Sequence, residues 1–445
     1  MTKIPLVSHA SPASVFAYRG GECISVARFL QDVAALAQAL PDRRYILNLC
    51  TDRYHFAVGF AAALLRGQIS LLPPNYTPSL VERLRLCYPG MYCLAEGAVD
   101  FQGVEVIPFP LVLEPQAIGG DIGSVPQEQC AALVFTSGST GDPVAHPKSW
   151  GGLCMGALAE AESLGLRPDS GVALVGTVPA QHMYGLESCM LLAMQNGLAM
   201  VAERPFYPAD IRERLEQLPV PRCLVTTPIH LRTLLAEPGI LPELEFVLCA
   251  TAPLALELAE IAEARFAAPL YEIYGCTEAG MVASRRTTAG AEWQLMSGLE
   301  MAQVGETCQV WGGHVGLAAT LSDVIQQSDA RTFSLHGRTA DLVNIAGKRT
   351  SLASLNHQLN QIPGVLDGVF FVHDDRGDGA MARPQAFVVA PGLASEDILG
   401  ALRKTIDAVF LPRPLHFVEA LPRNSTGKLT RDSLLQLVQR YAKHE

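Results

Sequence analysis

The sequence predicts an α/β protein: a large N-terminal domain of parallel-sheet αβα layers plus a β-rich subdomain, followed by a small α+β C-terminal domain. Three observations predict it. Short apolar runs of strand length alternate with runs of helical spacing. Several of those strands run directly into clusters of small and polar residues. The composition then shifts near residues 337–341, leaving a C-terminal stretch (342–445) of the size of a small separate domain.

The elements follow in order. Residues 26–40 carry apolar positions at helical spacing, and Pro41-Asp42 stops them. Residues 45–50 form a short apolar strand, 56–65 a helix too apolar for the surface, and 68–72 a second strand ended by Pro73-Pro74. Strand, helix, strand at this spacing is a βαβ unit, hence parallel sheet covered by helices. Leu133-Val134-Phe135 is a strand that runs into hydroxyls and glycines. Residues 155–164 read as a helix and 172–178 as a strand, followed by residues 179–185. Residues 191–201 and 223–228 fit further buried elements. Residues 246–249 lead into Ala250-Thr251-Ala252-Pro253-Leu254 and a helix reaching Arg265. Residues 271–278 are again a strand with a polar end. In open α/β sheets, ligands bind beyond the carboxyl ends of the strands, so four such ends point to a ligand site. Residues 290–336 read as β-rich; 369–372 and 385–389 as strands; 395–409 and 431–441 as helices.

Composition narrows the function classes. The 445 residues are 49% hydrophobic and 17% charged, enough for a sizeable core. A formal net charge of −11 argues against a broad nucleic-acid face. No apolar run reaches membrane-span length, and residues 1–20 lack a signal-peptide core, so a cytoplasmic protein without a membrane partner is expected. The eleven cysteines include no C-x-x-C pair and read as buried small hydrophobes of a reducing compartment. The eleven histidines show no H-x-x-x-H spacing, so neither residue type suggests a metal site.

The most informative stretch is Thr136-Ser137-Gly138-Ser139-Thr140-Gly141. Its glycines permit positive φ and close backbone approach, and successive backbone N–H groups with hydroxyls make an anion-binding concavity. A polyphosphate is the natural occupant; a flexible surface linker is the bland alternative. Walker A is excluded, because Asp142 follows Gly141 and neither Gly347-Lys348 nor Gly427-Lys428 has the required spacing.

Four segments together resemble motifs of the adenylate-forming superfamily of acyl-CoA synthetases, adenylation domains and luciferases. Residues 136–143 resemble its phosphate loop, and Tyr274-Gly275-Cys276-Thr277-Glu278 its Y-G-x-T-E motif. Gly337-Arg338-Thr339-Ala340-Asp341 resembles its hinge, and residues 422–431 its C-terminal lysine motif. The resemblance implies domains 1–336 and 342–445 joined by a hinge at 337–341, with a mobile small domain. It implies an AMP-forming acid–thiol ligase that uses ATP and Mg²⁺, with a small carboxylic acid as substrate. The acceptor is a phosphopantetheine thiol of CoA or of an acyl carrier protein. Thr136, Ser137, Gly138, Ser139, Thr140 and Gly141 would hold the β/γ-phosphates, Thr277 the α-phosphate, and Glu278 the metal. Tyr274 and Gly275 would face adenine, with Thr251 and Ala252 on its turn; Asp323 and Arg338 would bind ribose. Lys428 would neutralise charge between the carboxylate and the α-phosphate. His182, Met183, Tyr184, Gly185, Thr251 and Cys276 would line the acyl pocket, and Gly347 the thiol tunnel.

Two positions depart from the pattern. Val144 stands where the loop lysine is expected, so Lys148 is the substitute, with His146 beside it; Ala340 stands at a commonly charged hinge position. No aspartate near Tyr184 pairs an α-amino group, which turns the reading from amino acids toward aryl or hydroxyaryl acids, by way of His182, Tyr184 and Thr251. The delayed lysine resembles compact ligases of secondary metabolism, such as those that prime aryl polyenes. A medium-chain fatty acid ligase and a catalytically degenerate nucleotide-binding or carrier-docking protein are the alternatives.

Overall fold

The computed structural model describes residues 2–109, 123–137, 143–305, 307–338, 342–345, 348–372, 384–424, 427 and 429–442. The chain divides into two compact units. Met1–Gly290, Gln294–Glu300 and Val310–Ala319 form the first; Ala291–Trp293, Met301–Gln309 and Thr320–Glu445 form the second.

The first unit holds two sheets. The smaller has the order Pro143–Ser149, Cys130–Ser137, Ile69–Leu72, Tyr45–Asn48, Tyr92–Ala95, Glu105–Pro108. All its pairs are parallel except the first. The larger runs in parallel from Leu270–Cys276 through Val247–Cys249, Arg222–Thr226, Ala173–Gly176 and Ala199–Val201 to Val15–Arg19. Gly280–Arg286 and Glu22–Ser25 flank it as antiparallel strands. Ala173–Gly176, Ala199–Val201 and Val247–Cys249 are buried throughout, as expected of a sheet covered on both faces.

The helices are set by their caps. Ser25, Asp52 and Ser149 each accept a backbone N–H at the start of Val26–Ala39, Arg53–Leu65 and Trp150–Ser163. Arg53–Leu65 is buried along nearly its whole length, as its composition requires.

In the second unit, Asp367–Phe371, Gln385–Val389 and Leu415–Phe417 form a three-stranded sheet. Leu355, Leu359, Phe370, Val388, Ile398 and Leu402 pack on one face, and Phe371, Phe387, Leu434 and Val438 on the other. The expected β-rich stretch contains Trp293–Leu295, Leu299–Val304, Thr307–Gly312, Val315–Leu321, Asp323–Gln327 and Thr332–Arg338. No helix among the described residues is long and apolar enough to cross a membrane.

Two expectations are corrected, and one unassigned stretch is filled. The helix expected over 395–409 stops at Leu402, where the Thr405 and Ile406 N–H groups converge on the Leu402 carbonyl and Asp407 caps a new short turn, Ala408–Phe410. Cys23 and Cys87 are exposed, Cys130 and Cys276 half-buried, and the other seven buried. Cys23 lies on an edge strand and Cys87 ends a surface helix, so neither has a core to enter. Residues 144–149, to which the sequence reading gave no element, belong to a strand, Pro143–Ser149. It sits at a sheet edge, where proline's missing N–H is tolerated.

Candidate active site

The site is built around a three-residue turn. Strand Leu270–Cys276 and its antiparallel neighbour Gly280–Arg286 are separated only by Thr277, Glu278 and Ala279. The register shifts between Tyr274 and Gly275, a bulge of the kind that re-aims side chains beside sites. Glycine is required at both feet of the turn. A Cβ on Gly275 would lie 2.4 Å from the Gly280 carbonyl oxygen. Gly280 has φ of +81°, and a Cβ there would lie 2.7 Å from Glu187 Oε1. The Glu278 side chain is left 42% exposed.

The hairpin of the smaller sheet reaches this turn. Thr136 pairs with Val144, Val134 with His146, and Ala132 with Lys148, so Thr136, Val144, His146 and Lys148 share one face. His146 Nε2 lies 3.0 Å from Thr136 Oγ1 and 3.8 Å from Glu278 Oε1. Lys148 Nζ donates to the Glu278 carbonyl oxygen at 2.9 Å. Burial lowers the pKa of Lys148, against the opposing charges of Glu187 and Glu278. Burial also pushes the Cys276 thiol up to about 12, so the thiol stays protonated at neutral pH. Val144, at the expected lysine position, is 48% exposed and carries no charge.

Thr136, His146, Lys148 and Glu278 are therefore neighbours in space. Residues 99–307 match the family of AMP-binding enzymes. The chain is 28% identical over 312 residues to the 4-coumarate–CoA ligase of Rhodobacter capsulatus, covering 69% of this chain and 77% of that one. Its fold is that of the adenylate-forming ligases. The o-succinylbenzoate CoA synthetase of Bacillus subtilis, solved with its acyl-adenylate intermediate, superposes with a TM-score of 0.82 at 18% identity, covering 98% of each chain. The same synthetase solved with ATP and a magnesium ion gives 0.81 at 17% identity, covering 96% of this chain and 97% of that one.

Within the matched segment, residues 182–185 follow strand Ala173–Gly176 and enter a helical stretch; at Gly185 the packing is close, since a Cβ would lie 2.0 Å from the Pro179 carbonyl oxygen. Met183 Cε lies 3.5 Å from the space a Cβ on Gly280 would fill, so this segment abuts the turn at residues 277–280. His182 is half-buried. The Tyr184 hydroxyl lies 3.1 Å from the Thr226 carbonyl oxygen and 3.0 Å from that of Leu248. Burial first, with nearby acidic groups, raises its pKa far above the usual tyrosine range. The polar tip of Tyr184 is thus occupied by backbone, which removes it from the argument for a hydroxyaryl acid. Thr251 has φ of +82°, a strained conformation for a β-branched residue, and Ala252 follows it beyond strand Val247–Cys249.

In the second unit, Asp323 and Arg338 are direct partners across an antiparallel pair, although fifteen positions of numbering separate them. Gly138, Ser139, Thr140, Gly141, Gly347 and Lys428 lie outside the described residues, and Ser137 and Arg338 are described by strand position alone. The segment before Lys428 is anchored: Arg423 makes two hydrogen bonds to Asp367, at 2.8 and 2.7 Å, and a third to the Gly427 carbonyl at 2.9 Å. Arg423 also bridges to Leu429. Sequence reasoning missed this anchor, and it missed Glu187 and His314 beside the turn at 277–280. Buried charge two residues beyond Gly185 was the available signal for Glu187.

Proposed function

We propose that this chain is an AMP-forming acid–thiol ligase. A substrate carboxylate oxygen attacks the α-phosphorus of ATP, forming an acyl-adenylate and releasing pyrophosphate. A phosphopantetheine thiolate then attacks the carbonyl, forming the thioester and releasing AMP. Oxide is a poor leaving group and AMP a good one, which is the reason for the two steps. The observation that carries this reading is the meeting of hairpin and turn, with Thr136 on His146, and His146 and Lys148 on Glu278.

Residues 136–141 hold the β/γ-phosphates in this reading, Thr277 the α-phosphate, and Tyr274, Gly275, Thr251 and Ala252 the adenine end. Asp323 and Arg338 bind ribose, Gly347 lies along the thiol route, and Lys428 neutralises charge in the first step. Glu278 suits Mg²⁺, since it offers an exposed carboxylate to a hard cation. Bound there, the ion supplies charge neutralisation for the phosphates. Residues 337–341 serve as the hinge between the adenylating body and the small domain. His182, Met183, Tyr184, Gly185 and Cys276 shape the acyl pocket, and the ring of Tyr184 offers an aromatic wall.

An aryl acid is the favoured substrate and CoA the favoured acceptor; the names of both relatives support this. An acyl carrier protein is the alternative acceptor, and the compartment is the cytoplasm. The test is acid-dependent exchange of labelled pyrophosphate into ATP, over a panel of aryl and medium-chain acids. Exchange with an aryl acid, followed by thioester formation on CoA or on a phosphopantetheinylated carrier, is expected. No exchange with any acid would favour a non-catalytic nucleotide-binding protein. Lys428→Ala should lose exchange while thiol transfer from supplied acyl-adenylate survives; equal loss of both would refute its role.

A further inference from the structure

We propose that Glu187 and Lys148 form a pair of positioning residues that fixes the turn at residues 277–280 and so aims Glu278. The proposal rests on the ligase reading above. Glu187 belongs to none of the motifs that define the site, and the two residues come from separate elements. Lys148 lies on the edge strand Pro143–Ser149, and Glu187 on a π-helical segment, Leu186–Leu191. Such segments are rare and are frequent at functional sites.

Three side chains hold the main chain of the turn. Lys148 donates to the Glu278 carbonyl at 2.9 Å. The Met281 N–H donates to the Glu187 carboxylate. His314 Nε2 donates to the Met281 carbonyl at 2.6 Å. Gly280 completes the arrangement, since any larger residue would meet Glu187 Oε1.

Glu187 is only 3% exposed. A carboxylate buried to that degree persists when it is paired and hydrogen-bonded. Burial raises the Glu187 pKa to about 7, and at this turn the Lys148 charge and the Met281 N–H act against that rise. Helix packing would be served as well by leucine at 187. The backbone of Glu278 is therefore pinned while its side chain faces solvent, the division of labour a ligand-holding carboxylate needs.

The test uses Glu187→Gln, which keeps an acceptor for Met281 but removes the charge, Lys148→Met, and the double variant, all in the full chain. Two readouts are taken. In pyrophosphate exchange, each single variant should raise the apparent KM for Mg·ATP roughly tenfold, with a smaller fall in kcat, and Lys148→Arg should restore part of the loss. The double variant should be no worse than the poorer single one, because the residues act as one unit. Additive losses, or a KM for Mg·ATP unchanged in both singles, would overturn the pairing. The second readout is amide hydrogen exchange of the peptide spanning 277–281 without nucleotide, which should speed up in both singles. Unchanged protection there would overturn the proposal even where no acid supports exchange. A wild-type chain without pyrophosphate exchange but with charge-dependent protection at 277–281 would refute the ligase reading alone.

Discussion

Two carboxylate–histidine clusters in the first unit look alike by residue type and differ in what they have left to offer. The ligand atoms of Asp52, His55 and Glu96 all lie within 4.8 Å of one another, a spacing that would suit a metal. Yet Glu96 accepts from the Thr51 N–H at 3.0 Å, the Thr51 hydroxyl at 2.9 Å and pairs with His55 Nδ1 at 2.6 Å. Asp52 caps the helix through the His55 N–H at 3.0 Å and takes Arg19 Nε at 2.7 Å. That cluster is spent on joining the strand Tyr92–Ala95 to the start of helix Arg53–Leu65. At the other, Glu278 meets His146 only at 3.8 Å, and its carboxylate is 42% exposed. Spare hydrogen-bonding capacity, rather than residue type, separates a structural cluster from a candidate binding one.

The largest expected difference is in activity. Glu278→Gln should reduce Mg²⁺-dependent pyrophosphate exchange roughly a hundredfold or more, since the carboxylate proposed to hold the metal loses its charge. Its Tm should stay within about 2 °C of the parent, because an exposed side chain is changed. A large Tm loss with intact exchange would reverse the assignment of the two clusters.

Glu96→Gln should give the opposite pattern: exchange retained, and stability at pH 7 lowered by about 1–3 kcal/mol as charge-assisted bonds are lost. Burial works to raise the Glu96 pKa, but His55 and Thr51 hold the carboxyl down at about 2. The ordinary value is 4.5, so the folded state binds the proton more weakly than the unfolded chain. The stabilisation is therefore present above pH 4.5 and is lost as pH falls toward 2. Denaturant titrations of parent and variant at pH 7, 4.5 and 3 should converge at the acid end. Parallel curves would show that Glu96 does not carry the acid sensitivity.

Much of this architecture was legible in the sequence because period and punctuation agree. Residues 385–389 and the strands near 45, 69, 173 and 247 are apolar runs bounded by breakers, and each falls within about two residues of its observed element. The edge strand at 143–149 was not legible, since Pro143 and Pro147 argue against a strand unless its edge position is known. Helices Pro78–Cys87 and Pro208–Gln217 were missed as well; each begins at the proline that would otherwise mark a turn. At the candidate site, the resemblance to a local motif pointed to Thr277 and Glu278. Glu187 and His314 reach the same turn from 90 residues before and 30 after, roughly, and such convergence is set by tertiary packing.

The smallest effect concerns the acyl pocket, and it sharpens the same distinction between spent and spare polar groups. Tyr184 carries one hydroxyl proton between two carbonyl oxygens, those of Thr226 and Leu248, on adjacent strands. Tyr184→Phe deletes that bond and leaves the ring in place. The expected outcome is a loss of about 1 kcal/mol in stability, the usual net worth of one neutral hydrogen bond. The ranking of hydroxylated against unsubstituted aryl acids in pyrophosphate exchange should not change. A variant that selectively loses hydroxyaryl acids would mean that the hydroxyl leaves its carbonyl partners to meet substrate. Hydroxyl recognition would then belong to Tyr184 as well as to His182 and Thr251.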